Sequence, residues 1–249
     1  MAIAFLSRAS RPYDFRLGLG LPIALMLAML AFYPSELDFA LARLFYIAGE
    51  GFVGRGSFWL EDILHDRAKQ VVITLGILFL AGFIVSLLLH RFRQWRRPLG
   101  YVVLAMSLTT SVVTPLKVLT AVHCPWSLTE FGGTETYTPL LSPRAQTSKP
   151  GLCWPGGHAS SGFSLLALFF VLRDRRPRAA RVALAIALGM GALFSISRMA
   201  QGAHFLSHNL WTLLIDWVIC VLCYRWILYA PAVRSVPTAH EQSLMRGQG

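Results

Sequence analysis

Charged side chains are scarce in this 249-residue sequence: they make up 14% of it, and only 12 residues are acidic. So few charges cannot coat a soluble domain when 55% of the residues are hydrophobic, which argues against a soluble globular protein and for a chain that crosses a membrane several times. No small-x-small cleavage site follows the first apolar run, so that run is expected to stay as the first helix and not to be removed as a signal peptide. Internal repeats, low-complexity tracts and a second soluble domain are also lacking. Residues 1–249 are therefore expected to form one integral membrane domain, with residues 230–249 as a short cytoplasmic tail.

Long apolar runs, in contrast, are plentiful. Stretches near or above a spanning length of roughly 17 residues fall at 17–33, 71–89, 101–120, 159–172 with its flanks, 182–197 and 209–229. The expected fold is all-α, a six-helix transmembrane bundle. The net charge of +11 is unevenly placed: the N-terminus, "HRFRQWRR", "RDRRPRAAR" and the C-terminal tail hold 15 of the 23 Lys and Arg on one side. Excess Lys and Arg marks the cytoplasmic face. Both termini are thus expected inside, with three loops facing outward. A basic balance explained in this way does not call for nucleic acid as a partner.

The three outward segments differ in character. Residues 34–69 repeat apolar residues at helical spacing between charges, as an interfacial amphipathic helix or two would. Residues 121–157 are rich in Thr, Ser, Gly and Pro and read as a long loop, of the length that functional lids have. The turn "SRMAQGAHFLSHN" carries Arg198, His204 and His208. Ionisable groups at membrane depth are costly, so a cluster of them at helix ends is a functional-site hypothesis by default. His123, His158 and Lys117 fall at the same level.

Three stretches carry this cluster: "KVLTAVHCP" (residues 117–125), "PGGH" (155–158) and "SRMAQGAHFLSH" (197–208). In order and spacing they resemble the signatures of the type 2 phosphatidic acid phosphatase family, Lys-x6-Arg-Pro, Pro-Ser-Gly-His and Ser-Arg-x5-His-x3-Asp. The residues suit phosphoryl chemistry in their own right. Lys117 and Arg198 supply fixed positive charge for phosphate oxygens. The amides of Gly156 and Gly157 precede a helix, where N–H groups and the dipole favour an anion. The resemblance implies that His204 is the nucleophile of a phosphohistidine and His158 the acid for the departing alkoxide, with no metal and no cofactor.

Three positions depart from the family pattern. Gly156 stands in place of serine, which keeps the backbone donors. Cys124 stands in place of the first motif's arginine, a cation that His123, Arg144 or Lys149 is able to replace. Facing an oxidising periplasm, Cys124 is expected to pair with Cys153, leaving Cys220 and Cys223 as free core thiols. His208 stands in place of aspartate; four residues on from His204, it is expected to orient that ring by accepting its hydrogen bond. "HFLSH" also has the spacing of a zinc pair, although Phe205 fills the place of the zinc-protease glutamate.

The implied activity is hydrolysis of a phosphate monoester or pyrophosphate on a lipid: undecaprenyl pyrophosphate, phosphatidylglycerol phosphate, phosphatidic acid or a lipid A phosphate. Lipid-to-lipid phosphotransfer, a zinc hydrolase and a non-catalytic lipid-phosphate binder are the alternatives. The expected partners are that phospholipid or polyprenyl phosphate and the surrounding membrane lipids.

Overall fold

A computed structural model of the chain describes residues 10–60, 67–144 and 149–231. The expected cytoplasmic tail lies outside the described residues from 232 onward, as do residues 61–66 of the expected interfacial segment.

The chain is a multi-pass membrane protein built mostly of helix. Helix α1 (Phe15–Ala31) is started by Asp14, whose carboxylate accepts the amides of Arg16 and Leu17 at 2.9 and 3.1 Å. After a bend of 85° follows α2 (Ser35–Arg43), then a small hairpin of β1 (Tyr46–Ile47) and β2 (Gly51–Phe52). Helices α3 (Ala68–Leu88), α4 (Arg96–Thr120), α7 (Pro177–Ala200) and α8 (Leu206–Cys223) form the tall part of the bundle. Between α4 and α7 stand two short helices, α5 (Gly157–Phe163) and α6 (Leu166–Arg173).

The count of spanning helices differs from the six expected. Four helical stretches are long and apolar enough among the described residues, and five if α1 and α2 are taken as one bent span. The shortfall has a local cause. The fourth expected helix, Gly157–Arg173, has 17 residues and is interrupted at Ser164 and Leu165. At 1.5 Å per residue it reaches about 25 Å, short of a hydrocarbon core of about 30 Å. Of the one or two interfacial helices expected over residues 34–69, α2 is present and the hairpin follows it, while residues 61–66 lie outside the described residues.

The main core gathers Tyr101, Ala105, Phe163, Leu166, Phe170 and Tyr224 from α4, α5, α6 and the end of α8. Helix α7 lies against both α5 and α6 because glycine lets it. A Cβ on Gly162 would stand 2.6 Å from the Gly191 nitrogen, and one on Gly191 would run into the Phe163 ring. Without a solvent-driven hydrophobic term inside a bilayer, helices associate through such close backbone contact. The crossing fixes α5, which carries His158, against α7, which carries Arg198. A second cluster covers the loop end of the bundle, where Phe39, Tyr46, Phe52, Phe131, Tyr137 and Phe205 stack edge to face or in parallel.

Gly162→Ala should therefore cost about 1–3 kcal/mol through overpacking, because the obstacle is backbone. Gly189→Ala, where a Cβ meets nothing within 4 Å, should be neutral or gain up to about 1 kcal/mol in helix propensity. Thermal unfolding of the two variants in one detergent checks this, and equal midpoints would show that the crossing is not tight.

Candidate functional site

The site forms where four chain segments end at one level. Lys117 lies in the last turn of α4, which stops at Ala121 in the left-handed region (φ 47°). The turn from Cys153 to Gly156 leads into α5, with His158 in its first turn. Arg198 lies in the last turn of α7, and His204 in the connection to α8.

Several bonds fasten the turn at Cys153. Cys124 and Cys153 are joined in a disulfide with Cα atoms 5.2 Å apart, while Cys220 and Cys223 are buried free thiols. The Cys153 amide donates to the Val122 carbonyl at 3.0 Å. Thr120 Oγ1 donates to the Trp154 carbonyl at 3.2 Å. The turn is thereby sewn to the end of α4. From this position the Cys153 carbonyl meets His204 Nδ1 at 2.7 Å. A carbonyl only accepts, so Nδ1 carries the proton and Nε2 of the neutral ring keeps a lone pair, which is the tautomer a nucleophile needs.

His204 is 4% exposed. Burial holds its pKa well below the usual histidine value, helped by His208 and by the positive charges of Lys117 and Arg198, against a smaller opposing pull from the Cys153 carbonyl. Lys117 Nζ stands 3.6 Å from the point a Cβ on Gly157 would occupy. The Arg198 guanidinium lies 5.8 Å over the Trp126 ring and is steadied by Gln201 Oε1. The first, second and third motifs thus meet around His204. Two cations and a neutral imidazole brought together in this way are suited to bind a phosphate and present one nitrogen to it.

Two expectations require correction. His208 is not the orienting partner of His204: the rings lie 5.9 Å apart between centroids at 71°, and the acceptor is the Cys153 carbonyl. The i, i+4 argument needs both residues on one helix. Helix α8 begins at Leu206, so His204 lies two residues before it, ahead of the extended N-cap Phe205. His208 instead sits fully buried against Phe205, its Nδ1 without a hydrogen-bond partner, and the same Cys153 carbonyl also acts on its ring. The Gly156 amide is likewise engaged within the protein, donating to Thr212 Oγ1 at 2.8 Å and the His208 carbonyl at 3.3 Å. Only Gly157 of the pair remains a candidate donor to an anion. A side chain on Gly156 would collide with Asn209 Oδ1, so glycine here is a packing requirement of α5 against α8.

The suggested replacements for the missing arginine are placed differently from one another. His123 Nε2 lies 3.5 Å from Glu135 Oε2. Arg144 donates to the carbonyls of Thr138, Pro139 and Leu140 and shapes its own loop. Lys149 is exposed. No group of three or more His, Cys, Asp or Glu able to hold a metal occurs among the described residues, so the histidine pair finds no further ligand for a zinc site there.

Sequence reasoning missed Asp38. This carboxylate on α2 is 1% exposed and accepts the Ser207 amide at 2.9 Å as well as the Ser207 hydroxyl. It caps α8 from 169 residues away. Its signal in the sequence was its phase, four residues before the buried Ala42 on one face of α2.

A family model for the PAP2 superfamily matches residues 98–232. The chain belongs to this superfamily. The matched region takes in every site residue from Lys117 to His208 and leaves out α1 to α3. Among characterised relatives, the lipid A 4'-phosphatase of Francisella tularensis subsp. novicida (strain U112) is 24% identical over 221 residues, covering 85% of this chain and 97% of the relative. No solved structure matches the chain. The membership fits the convergence of the three motifs.

If the disulfide places the carbonyl that orients His204, Cys124→Ser with Cys153→Ser should lower kcat on the order of 10- to 100-fold with a smaller change in KM, as lost orienting partners do. Steady-state kinetics of the double variant check this. Unchanged kcat in a protein confirmed free of the disulfide would show that the turn holds its place without it.

Proposed function

We propose that the protein is a membrane lipid phosphatase that removes a phosphate from a lipid monoester or pyrophosphate through a phosphohistidine on His204. The observation that carries this reading is the Cys153 carbonyl on His204 Nδ1, with Lys117 and Arg198 close enough to act on the same ring. The lipid phosphate settles with its equatorial oxygens on Lys117, Arg198 and the Gly157 amide. His204 Nε2 attacks phosphorus, the bond from phosphorus to the lipid oxygen breaks, and His158 gives that oxygen its proton. Water then attacks phosphorus, returns a proton to His158, and the phosphorus–nitrogen bond breaks to release phosphate. No step calls for a metal. In this reading His208 has a packing role and is not a reacting group.

The substrate class is a lipid phosphate exposed at the outer leaflet of a bacterial inner membrane. The relative's name favours a lipid A phosphate; undecaprenyl pyrophosphate, phosphatidylglycerol phosphate and phosphatidic acid share the chemistry. A periplasmic site with cytoplasmic termini follows from the bias of Lys and Arg. The Cys124–Cys153 disulfide at the site's level supports the same side, since disulfides persist in the periplasm.

Purified protein should release phosphate from at least one of these lipids, with or without chelator. His204→Ala and His158→Ala should each lower turnover by about 1,000-fold or more. Labelled substrate should leave acid-labile phosphate on wild type and none on His204→Ala. Release that needs added zinc, or normal turnover without His204, would overturn the reading; phosphate appearing on a second lipid in place of water would reassign it as a transferase.

The lowered pKa of His204 gives a pH test. A proton on Nε2 removes the attacking lone pair. A depressed pKa moves that loss to lower pH, so kcat/KM should hold as pH falls through about 6.5, the ordinary histidine value. A fall in kcat/KM that approaches tenfold per pH unit below about 6.5, and that persists once the substrate's own ionisation is accounted for, would mean that His204 titrates as an ordinary imidazole.

A further inference from the structure

The end of the bundle opposite the histidines carries a second cavity. A groove of about 300 Å³ runs between α3, α4 and α6, walled by Phe79, Leu99, Val102, Leu168, Val171 and Leu172, with Trp95, Arg175 and Arg176 also in its lining. A notch of about 90 Å³ adjoins it, sharing Pro98, Val171 and Arg175 and adding Gln94 and Arg97. Arg97 opens α4 and Lys117 lies twenty residues further along the same helix, so about 30 Å of rise separates this cavity from the candidate active site.

The charges around the cavity are unbalanced. The one acid in either lining, Asp174, is already engaged: it accepts from Arg173 Nη1 at 2.9 Å, from the Tyr224 hydroxyl at 2.7 Å and from the Arg11 amide at 3.1 Å. Arg96, next to Arg97, donates to the Ser86 and Leu87 carbonyls at the end of α3. Arg97, Arg175 and Arg176 are exposed, and Asp174, the one carboxylate lining the mouth among the described residues, also acts on Arg175, so three guanidinium groups there stand against a single acid. An apolar groove beside α3 and α4, two helices of spanning length, must be filled by hydrocarbon in a bilayer. A tryptophan and arginines at the helix ends mark headgroup depth.

We propose that this groove binds one anionic phospholipid of the phosphatidylglycerol class, its phosphate on Arg97, Arg175 and Arg176 and one acyl chain lying along Leu99, Leu168 and Val171. The lipid wedges α3 and α4 against α6, the short helix that continues from α5. The site is separate from the reaction and does not depend on the reading of the protein as a phosphatase.

Binding of phosphatidylglycerol and phosphatidylcholine to the full chain, delipidated in detergent and read by native mass spectrometry with a melting curve alongside, tests this. Wild type should hold phosphatidylglycerol on the order of 30-fold more tightly than phosphatidylcholine. Arg175→Gln with Arg176→Gln should lose that preference while melting as wild type does in phosphatidylcholine. Leu168→Trp, which fills the groove and leaves the charges in place, should weaken binding of phosphatidylglycerol as well. If the double variant does not fold, Arg97→Gln on the exposed side of α4 should still lower the preference about 5-fold. Equal affinity of wild type for both lipids, or a preference that survives both the charge variant and the groove-filling variant, would overturn the proposal.

Discussion

The turn at Cys153 is the point on which the site depends. Its sulfur is bonded to Cys124, its amide to the Val122 carbonyl, and its carbonyl to His204. Three and four residues later the same turn reaches α8, through the Gly156 amide on Thr212 and the His208 carbonyl, and opens α5 at Gly157. Four segments distant in sequence are thus fixed relative to one turn. Each of these bonds is modest alone, about 1 kcal/mol net for an ordinary hydrogen bond, but they share rigid partners. The geometry at His204 is set to within hydrogen-bonding distance without using a carboxylate.

The use of a carbonyl in that place has an electrical consequence. A carboxylate beside His204 would bring a full negative charge next to Lys117 and Arg198 and would offset both. The neutral carbonyl fixes the tautomer and leaves those two cations acting on the imidazole, as the depressed basicity of His204 reflects. The carboxylate the structure does place nearby, Asp38, faces the backbone start of α8 instead, where it satisfies Ser207 and anchors α2. Positive charge at the site and a helix dipole below it are kept apart by this division.

Membrane class was legible from composition, because a chain with 14% charge and 55% hydrophobic residues has no soluble alternative. The three motifs were legible as well, since Lys117, His158, Arg198 and His204 occupy spacings that only make sense together. The orienting role given to His208 was not recoverable. It rested on helical spacing, and whether His204 lies inside α8 or before it is decided by a cap from Asp38, 169 residues away. The engagement of the Gly156 amide was equally out of reach, because Thr212 and the His208 carbonyl belong to another helix. The six apolar stretches and the four or five helices of spanning length among the described residues differ for a related reason: hydropathy does not mark the break at Ser164 and Leu165, which leaves the fourth stretch at 17 residues.

The sequence by itself determined the environment, the type of chemistry and the residues available for it, because hydropathy, charge placement and motif spacing are properties of the chain read in order. Tertiary structure alone decided which atom orients His204, which glycine amide is left to an anion, and how α2 is used. These are matters of which groups meet across long separations. Such meetings are set by the close backbone crossing at Gly162 and Gly191, by the disulfide, and by the need of every buried polar group to find a partner.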